Sequence, residues 1–433
     1  MKAALYTLGC KVNQYETQVI GEALANAGFL LVPPGEEADV YIVNSCTVTA
    51  ESDKKTRQAV RRFKRLHPDA LVLLTGCMPQ AYPQAAQALT QADIVTGNRS
   101  TDRILSLIHE YFEQKERLVR ILPHEKEDAF LPCAITEFEE RTRAILKIED
   151  GCNRFCSYCV IPYARGRVRS KPLPDIRKEA ETLAANGFRE IVLVGINLSA
   201  YGIGTQQNIC DAIEAVAAID GVRRIRLGSL EPDHLTPEIL DRMAACPKLC
   251  PQFHISLQSG CTATLKRMNR HYTAAEYAAL CRELRARFTD CTLTTDVMVG
   301  FAGETEEEFE ESLRFVKEIG FEKVHVFPYS PRAGTRAADF DGQIEKSVKE
   351  QRARRMIDET GTIRKEYLKK QVGRTVEVLA ETNEPDGSSV GYTANYTPVR
   401  IAANAVCGEF YRVRITGADS ETCLGTIESE VSE

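Results

Sequence analysis

Across 433 residues no stretch approaches the roughly 18–20 uninterrupted apolar residues of a membrane-spanning helix, and the opening Met1-Lys2-Ala3-Ala4-Leu5-Tyr6 runs into a polar motif instead of a leader's apolar core. The expectation is a cytoplasmic protein with no membrane partner. Cysteine is too sparse for a disulfide scaffold: fifteen residues fall well under the roughly 8–10% such scaffolds carry, and the odd count points to thiols kept reduced. Reduced thiols can serve as metal ligands. A net charge of −6 excludes a chain that is basic all over, so any nucleic-acid surface has to be local. A P-loop is absent, and none of the seven histidines pairs closely with Cys or another His, which leaves them structural. With 43% hydrophobic residues the composition is that of a globular protein, and the length suits two or three domains.

What is present is a repeat. Ala3–Cys10, Ala38–Cys46 and Ala70–Cys77 are short apolar runs ending in Cys, 36 and 31 residues apart, with helix-like spacers over Glu16–Ala27 and Ser52–His67. They read as βα units with buried parallel strands. Parallel strands share one carboxyl edge, where ligands bind, so Cys10, Cys46 and Cys77 are expected to converge there. A fourth run, Ala92–Asn98, ends in Asn, which suggests three thiolates and an open position. This organisation predicts an α/β protein in three parts. Residues 1–135 form a parallel α/β domain and residues 136–370 a partial (β/α)6 barrel with a polar helix over Lys346–Lys370. Residues 371–433 form a small antiparallel β-barrel.

Directly after the first barrel strand, Gly151-Cys152-Asn153-Arg154-Phe155-Cys156-Ser157-Tyr158-Cys159 is a C-x3-C-x2-C loop. Three thiolates there can cap three corners of a cubane iron–sulfur cluster and leave one iron open. The rival is structural zinc, which normally takes four ligands as paired C-x2-C or C/H units, and no fourth Cys or His lies nearby.

The loop, with Gly195-Ile196-Asn197 after the second strand, Ser229-Leu230-Glu231-Pro232 after the third and Val299–Glu304 after the fifth, resembles the radical S-adenosylmethionine (SAM) superfamily. The resemblance implies SAM on the open iron of a [4Fe-4S] cluster, with Gly195, Asn197, Ser229, Glu231, Gly300 and Gly303 as cofactor contacts. It also implies an electron donor such as flavodoxin or ferredoxin.

Thr7–Thr17, Asn44–Val48, Thr75–Pro79, His254–Gly260, Arg267–Thr273 and Phe327–Thr335 resemble, in order, the methylthiotransferases, and the tail resembles their TRAM module. The Leu8-Gly9-Cys10-Lys11-Val12-Asn13-Gln14-Tyr15-Glu16 string is similar to the branch acting on threonylcarbamoyladenosine in tRNA. Isopentenyladenosine and a ribosomal-protein aspartate are the alternative acceptors within the family, and a zinc-stabilised RNA-binding protein the alternative outside it. The resemblance implies that Cys152, Cys156 and Cys159 hold the radical-forming cluster, and that Cys10, Cys46 and Cys77 hold a second one carrying sulfur for transfer to C2 beside the tRNA anticodon. Adenine C2–H is too weakly acidic for a side-chain base, so a cofactor radical has to open it.

For the RNA itself, Lys54–Arg65 carries seven bases and no acid, with Lys54, Arg57, Arg61 and Arg65 in one helical stripe and Ala59, Phe63 and Leu66 expected inward. Arg165, Arg167, Arg169 and Lys171 alternate as one face of an expected strand. The Lys346–Lys370 helix, net +5, is a further candidate contact. The tail, with four Arg against ten acids, suits docking as well as RNA binding.

Overall fold

The computed structural model describes residues 1–136 and 142–431. The expected class holds throughout: two parallel α/β units and a small closed β-barrel. In the first unit, β1 (Lys2–Thr7), β2 (Leu30–Val32), β3 (Val40–Ser45), β4 (Leu71–Gly76), β5 (Ile94–Thr96) and β6 (Leu118–Arg120) form one parallel sheet, order β2-β1-β3-β4-β5-β6. β3 and β4 are central and buried along their whole length, which is why they read as unbroken apolar runs. Short β2 and β6 cap the edges and carry no such signal. Helix α1 (Lys11–Asn26) begins at Cys10, and α2 (Ala50–Leu66) begins at Thr49, whose hydroxyl accepts from Ser52 N–H. Phe63 stacks on Tyr41, centroids 4.7 Å apart, and pins α2 to the sheet.

In the second unit β7 (Arg143–Lys147) leads into the cysteine loop, whose base is closed by β8 (Glu149–Asp150) pairing with β9 (Arg169–Ser170). The barrel continues with β10 (Glu190–Val194), β11 (Arg224–Leu227), β12 (Ser229–Leu230), β13 (Gln252–Ile255), β14 (Thr292–Val299) and β15 (Lys323–Pro328). Their ladders run β11-β10-β7 and β12-β13-β14-β15, all parallel, with β11 passing into β12 through Gly228. Among the described residues β7 and β15 do not pair, so the barrel is open on that side.

The last unit is a closed barrel, β16 (Thr375–Asn383), β17 (Ser389–Thr393), β18 (Pro398–Ile401), β19 (Phe410–Ala418) and β20 (Cys423–Glu430), order β16-β17-β18-β20-β19. It is antiparallel except for β18 and β20, which pair parallel and complete the closure. Its acids meet arginines at the barrel's amino-terminal end: Glu377 pairs with Arg224 at 2.8 Å and Glu381 with Arg143 at 2.7 Å. This contact engages two of the tail's ten acids and supports docking. No helix among the described residues is long and apolar enough to cross a membrane.

Candidate functional site

Cys10, Cys46 and Cys77 follow β1, β3 and β4, three adjacent strands, at their common carboxyl edge. Two glycines permit the approach. Gly9 (φ +122°) would place a Cβ 2.9 Å from Cys46 Cβ, and Gly76 (φ +96°) would place one 2.5 Å from Ser45 backbone atoms. Asn13, one turn into α1, ties the loops together by donating to Leu8 O at 3.0 Å and Ser45 O at 2.9 Å. Asn98, the asparagine ending the fourth run, donates to Cys77 Sγ at 3.9 Å. Burial pushes the Cys77 thiol up to about 12, opposed by Arg165, and raises Cys46 as well. Cys10 is exposed.

The second set sits on the loop closed by β8 and β9. Gly151 (φ +86°) is packed so that a Cβ would lie 1.9 Å from Arg167 O. Ser157 N–H donates to Met268 O at 2.9 Å, and Asn269 Nδ2 to Phe155 O at 3.1 Å, so the Arg267–Thr273 stretch braces the loop. Asn197 Nδ2 approaches Cys152 Sγ at 3.9 Å and Arg270 Nη1 approaches Cys156 Sγ at 3.3 Å. Glu231 Oε2 accepts from Arg270 at 2.5 Å, so this expected cofactor contact is held by an ion pair. Burial pushes the Cys152 thiol up to about 12.

Next to Cys152 lies a pair of orphaned acceptors. Glu149 Oε2 accepts from Asn197 N–H at 2.7 Å, but Glu149 Oε1 and Asn197 Oδ1 are buried without a partner. A side chain at Gly195 would come within 2.5 Å of Glu149 Oε2. Burial raises the Glu149 carboxyl well above the usual range. Two orphaned acceptors suit a cationic group of a bound ligand, and sequence reasoning identified Asn197 but not Glu149. Gly300 (φ +67°) and Gly303 (φ +73°) shape the loop after β14; Gly300 packs on Lys349 and Gly303 N–H donates to Gly342 O at 2.9 Å.

The two cysteine sets are joined by a buried charge network. Arg165 Nη1 meets Glu16 Oε1 at 2.5 Å and Asp150 at 3.4 Å, while Nη2 donates to Asn13 Oδ1 at 2.9 Å and Nε points to Cys77 Sγ at 3.2 Å. Lys147 Nζ lies 2.7 Å from both Glu16 and Asp150. Asp150 in turn accepts from Gly151 N–H at the root of the cysteine loop, at 2.8 Å. Arg165 and Lys147 hold both carboxyls below their usual range despite burial.

The expected RNA contacts are redistributed. Arg165 is 0% exposed and cannot touch RNA. It ends a helical turn over Ile161–Arg165, and only Arg169–Ser170 is extended, so the period-two face does not form. Arg169 pairs with Asp150 at 3.3 Å and buried Lys171 with Glu179, leaving Arg167 exposed over the Phe155 ring at 4.8 Å. On α2, Lys54, Arg61 and Arg65 are exposed and Arg57 half-buried, but Leu66 points outward, 54% exposed, because the helix ends there. In the Lys346–Lys369 helix, Arg352, Arg355 and Arg364 pair with Glu306, Glu310, Glu322 and Glu421, so three of its four arginines face protein carboxylates.

A cavity of about 780 Å³ runs through the open barrel. Cys10, Gly195 and Ser229 line its mouth, His254, Asp296 and His325 its wall, and Tyr392 and Tyr396 of the last unit its floor. Each cysteine set presents three thiols, the donor set of a cluster with one iron open. Among the described residues no group of three Cys, His, Asp or Glu side chains is already drawn together around one ion.

Residues 146–316 match the radical SAM superfamily, and residues 2–97 match a family described as uncharacterized protein family UPF0004. The chain is 37% identical to the threonylcarbamoyladenosine tRNA methylthiotransferase MtaB of Bacillus subtilis, over 99% of this chain and 98% of that one. It is 36% identical to the protein of the same name from Thermotoga maritima, over 96% and 94%. It is 32% identical to the tRNA-2-methylthio-N(6)-dimethylallyladenosine synthase of Pelotomaculum thermopropionicum, over 96% and 95%. The radical S-adenosylmethionine methyltransferase TsrM of Kitasatospora setae aligns with TM-score 0.56 at 15% identity, covering 78% of this chain and 77% of that one, a likeness of fold alone.

Proposed function

The chain belongs to the radical SAM tRNA methylthiotransferase family, and from that premise we propose that it places a methylthio group on C2 of N6-threonylcarbamoyladenosine beside the tRNA anticodon, using SAM and two [4Fe-4S] clusters. The groups, when bound, supply electron transfer, a radical able to open an unreactive C–H bond, and the sulfur to be transferred. Cys152, Cys156 and Cys159 hold one cluster. Glu149 and Asn197 take the amino group of SAM with their unpaired oxygens, and Gly195 and Ser229 leave room for its methionine part. Arg270, paired with Glu231, places positive charge beside Cys156. Gly300 and Gly303 shape the adenine side.

Cys10, Cys46 and Cys77 hold the second cluster, and Arg165 sets the charge beside Cys77. The single observation that carries this reading is the pair of three-thiol sets joined through Glu16, Arg165 and Asp150, with Cys10 and the Gly195 turn at the mouth of one cavity. A flipped base can then be reached from both sides. Lys54, Arg57, Arg61, Arg65 and Arg167 supply phosphate contacts to the anticodon stem-loop. A flavodoxin or ferredoxin supplies electrons. Profiling tRNA nucleosides by mass spectrometry from cells with and without the gene tests the reading. Loss of methylthio-threonylcarbamoyladenosine is expected, and an unchanged level overturns the choice of acceptor.

A further inference from the structure

We propose that the barrel cavity selects its substrate base through the carboxylate of the N6 side chain, with Lys323 as the charge partner and His325 as a flanking hydrogen-bond donor. The inference deepens the reading above and rests on threonylcarbamoyladenosine as the acceptor.

Strand β15 carries the argument. It alternates Lys323, His325 and Phe327, all exposed and all lining the cavity, with half-buried Val324 and Val326, which pack into the core. An edge strand that shows a cation, an imidazole and a ring to an internal space does not complete a core. Its partners follow in register: Thr294 beside Lys323, Asp296 beside His325, Met298 beside Phe327, with His254 beside Thr294 on the next strand.

Several other charged groups lining this space have partners of their own. Arg226 pairs with Glu190 at 2.8 Å, Arg364 with Glu322 at 2.5 Å, and Asp296 with His254 at 3.4 Å. Lys323 forms no ion pair or hydrogen bond among the described residues, although Glu322 precedes it in the chain. His254 Nδ1 lies 3.0 Å from Thr294 Oγ1, which fixes the ring facing the cavity.

The direction also fits. A purine whose C2 faces the cysteine mouth sends its N6 substituent to another side of the six-membered ring, down the barrel. Lys323 lies four residues below Phe327 on the strand, about 13 Å at roughly 3.3 Å per residue, a gap that the substituent and the lysine side chain share between them. Phe327, 46% exposed near the mouth, is placed to stack on the base. A prenyl substituent would instead bury apolar atoms against Lys323, His254, Asp296 and His325 and strip these groups of water.

Binding of anticodon stem-loop RNAs to the holoenzyme by fluorescence anisotropy tests this. The RNAs carry threonylcarbamoyladenosine, its threonine methyl ester, isopentenyladenosine or plain adenosine at the target position. The wild type is expected to prefer the free carboxylate over the ester and plain adenosine by about tenfold, the scale of a charge-assisted bond. Lys323→Met removes that preference, with plain-adenosine RNA as the reference, and Lys323→Arg keeps it, which separates lost charge from lost folding. A preference that survives Lys323→Met overturns the proposal alone. A wild type that binds and methylthiolates isopentenyladenosine RNA in preference to the threonylcarbamoyl RNA overturns the underlying reading.

Discussion

Replacing Arg165 with Met removes a fully buried guanidinium while keeping most of the side-chain volume. What remains is Glu16 and Asp150, both 2.7 Å from the ammonium of Lys147, with Arg169 reaching only Asp150 at 3.3 Å, so Glu16 loses its two-pronged guanidinium partner and keeps one shared cation. Deleting one partner of a buried ion pair costs about 3–5 kcal/mol where the survivor is left uncompensated, and the loss here falls toward the low end of that range because Lys147 and Arg169 still meet the two carboxylates. The loss is expected in urea unfolding at neutral pH. It also carries a pH signature. In the wild type Arg165 and Lys147 depress the carboxyls of Glu16 and Asp150, a contribution present above the unfolded carboxyl range and lost as pH falls through the lowered folded values. The variant's carboxyls take up protons at higher pH than the wild type's, which relieves the unpaired charge, so the stability gap should narrow as pH falls. Glu16→Gln added to Arg165→Met should recover part of the loss, a coupling expected between residues in direct contact. A variant within about 1 kcal/mol of wild type at neutral pH, with no change in the gap on acidification, would refute the view that this network joins the two cysteine sets.

Three further outcomes follow from the same structure. Cys156→Ala should abolish 5′-deoxyadenosine formation from SAM, whereas Cys46→Ala should keep it yet lose methylthiolated RNA; product from Cys46→Ala contradicts the division of labour. Glu304, pushed up to about 7 by burial against the opposing pull of Arg352, holds its proton longer when folded than when unfolded, so it lowers stability as pH rises from 4.5 to about 7, by up to about 3 kcal/mol. Glu304→Gln should flatten that limb in urea melts, and an unchanged slope assigns it to other groups. Arg61→Glu with Arg65→Glu should weaken tRNA binding at low salt and shallow its salt dependence, read by filter binding, and an unaltered slope removes α2 from the interface.

The sequence made the strand-end cysteines and the order of barrel motifs legible because both are local: an apolar run, then the residue at its carboxyl end. It also showed β3 and β4, buried end to end, while three-residue β2 and β6 left no periodic trace. What stayed hidden depends on partners far along the chain. Arg165 looked like surface charge because its partner Glu16 lies 149 residues away, and Arg332 meets Asp53 across 279 residues. Glu149 was missed because its meaning lies in an oxygen left without a donor, which no spacing encodes. The basic run on α2 was readable as a stripe, but the outward turn of Leu66 reflects where the helix stops. In the Lys346–Lys369 helix a similar long-range pairing was out of reach of a charge count: Arg352, Arg355 and Arg364 are matched by glutamates on other elements.

The central claim is tested most directly by offering the anaerobically reconstituted, reduced enzyme equal amounts of two anticodon stem-loop RNAs, one with threonylcarbamoyladenosine and one with isopentenyladenosine, together with SAM, and weighing the digested nucleosides by mass spectrometry. The account predicts a methylthio group in place of one hydrogen on the threonylcarbamoyl nucleoside, accompanied by 5′-deoxyadenosine. Product on the isopentenyl nucleoside alone, or SAM cleavage with neither nucleoside changed, would contradict it.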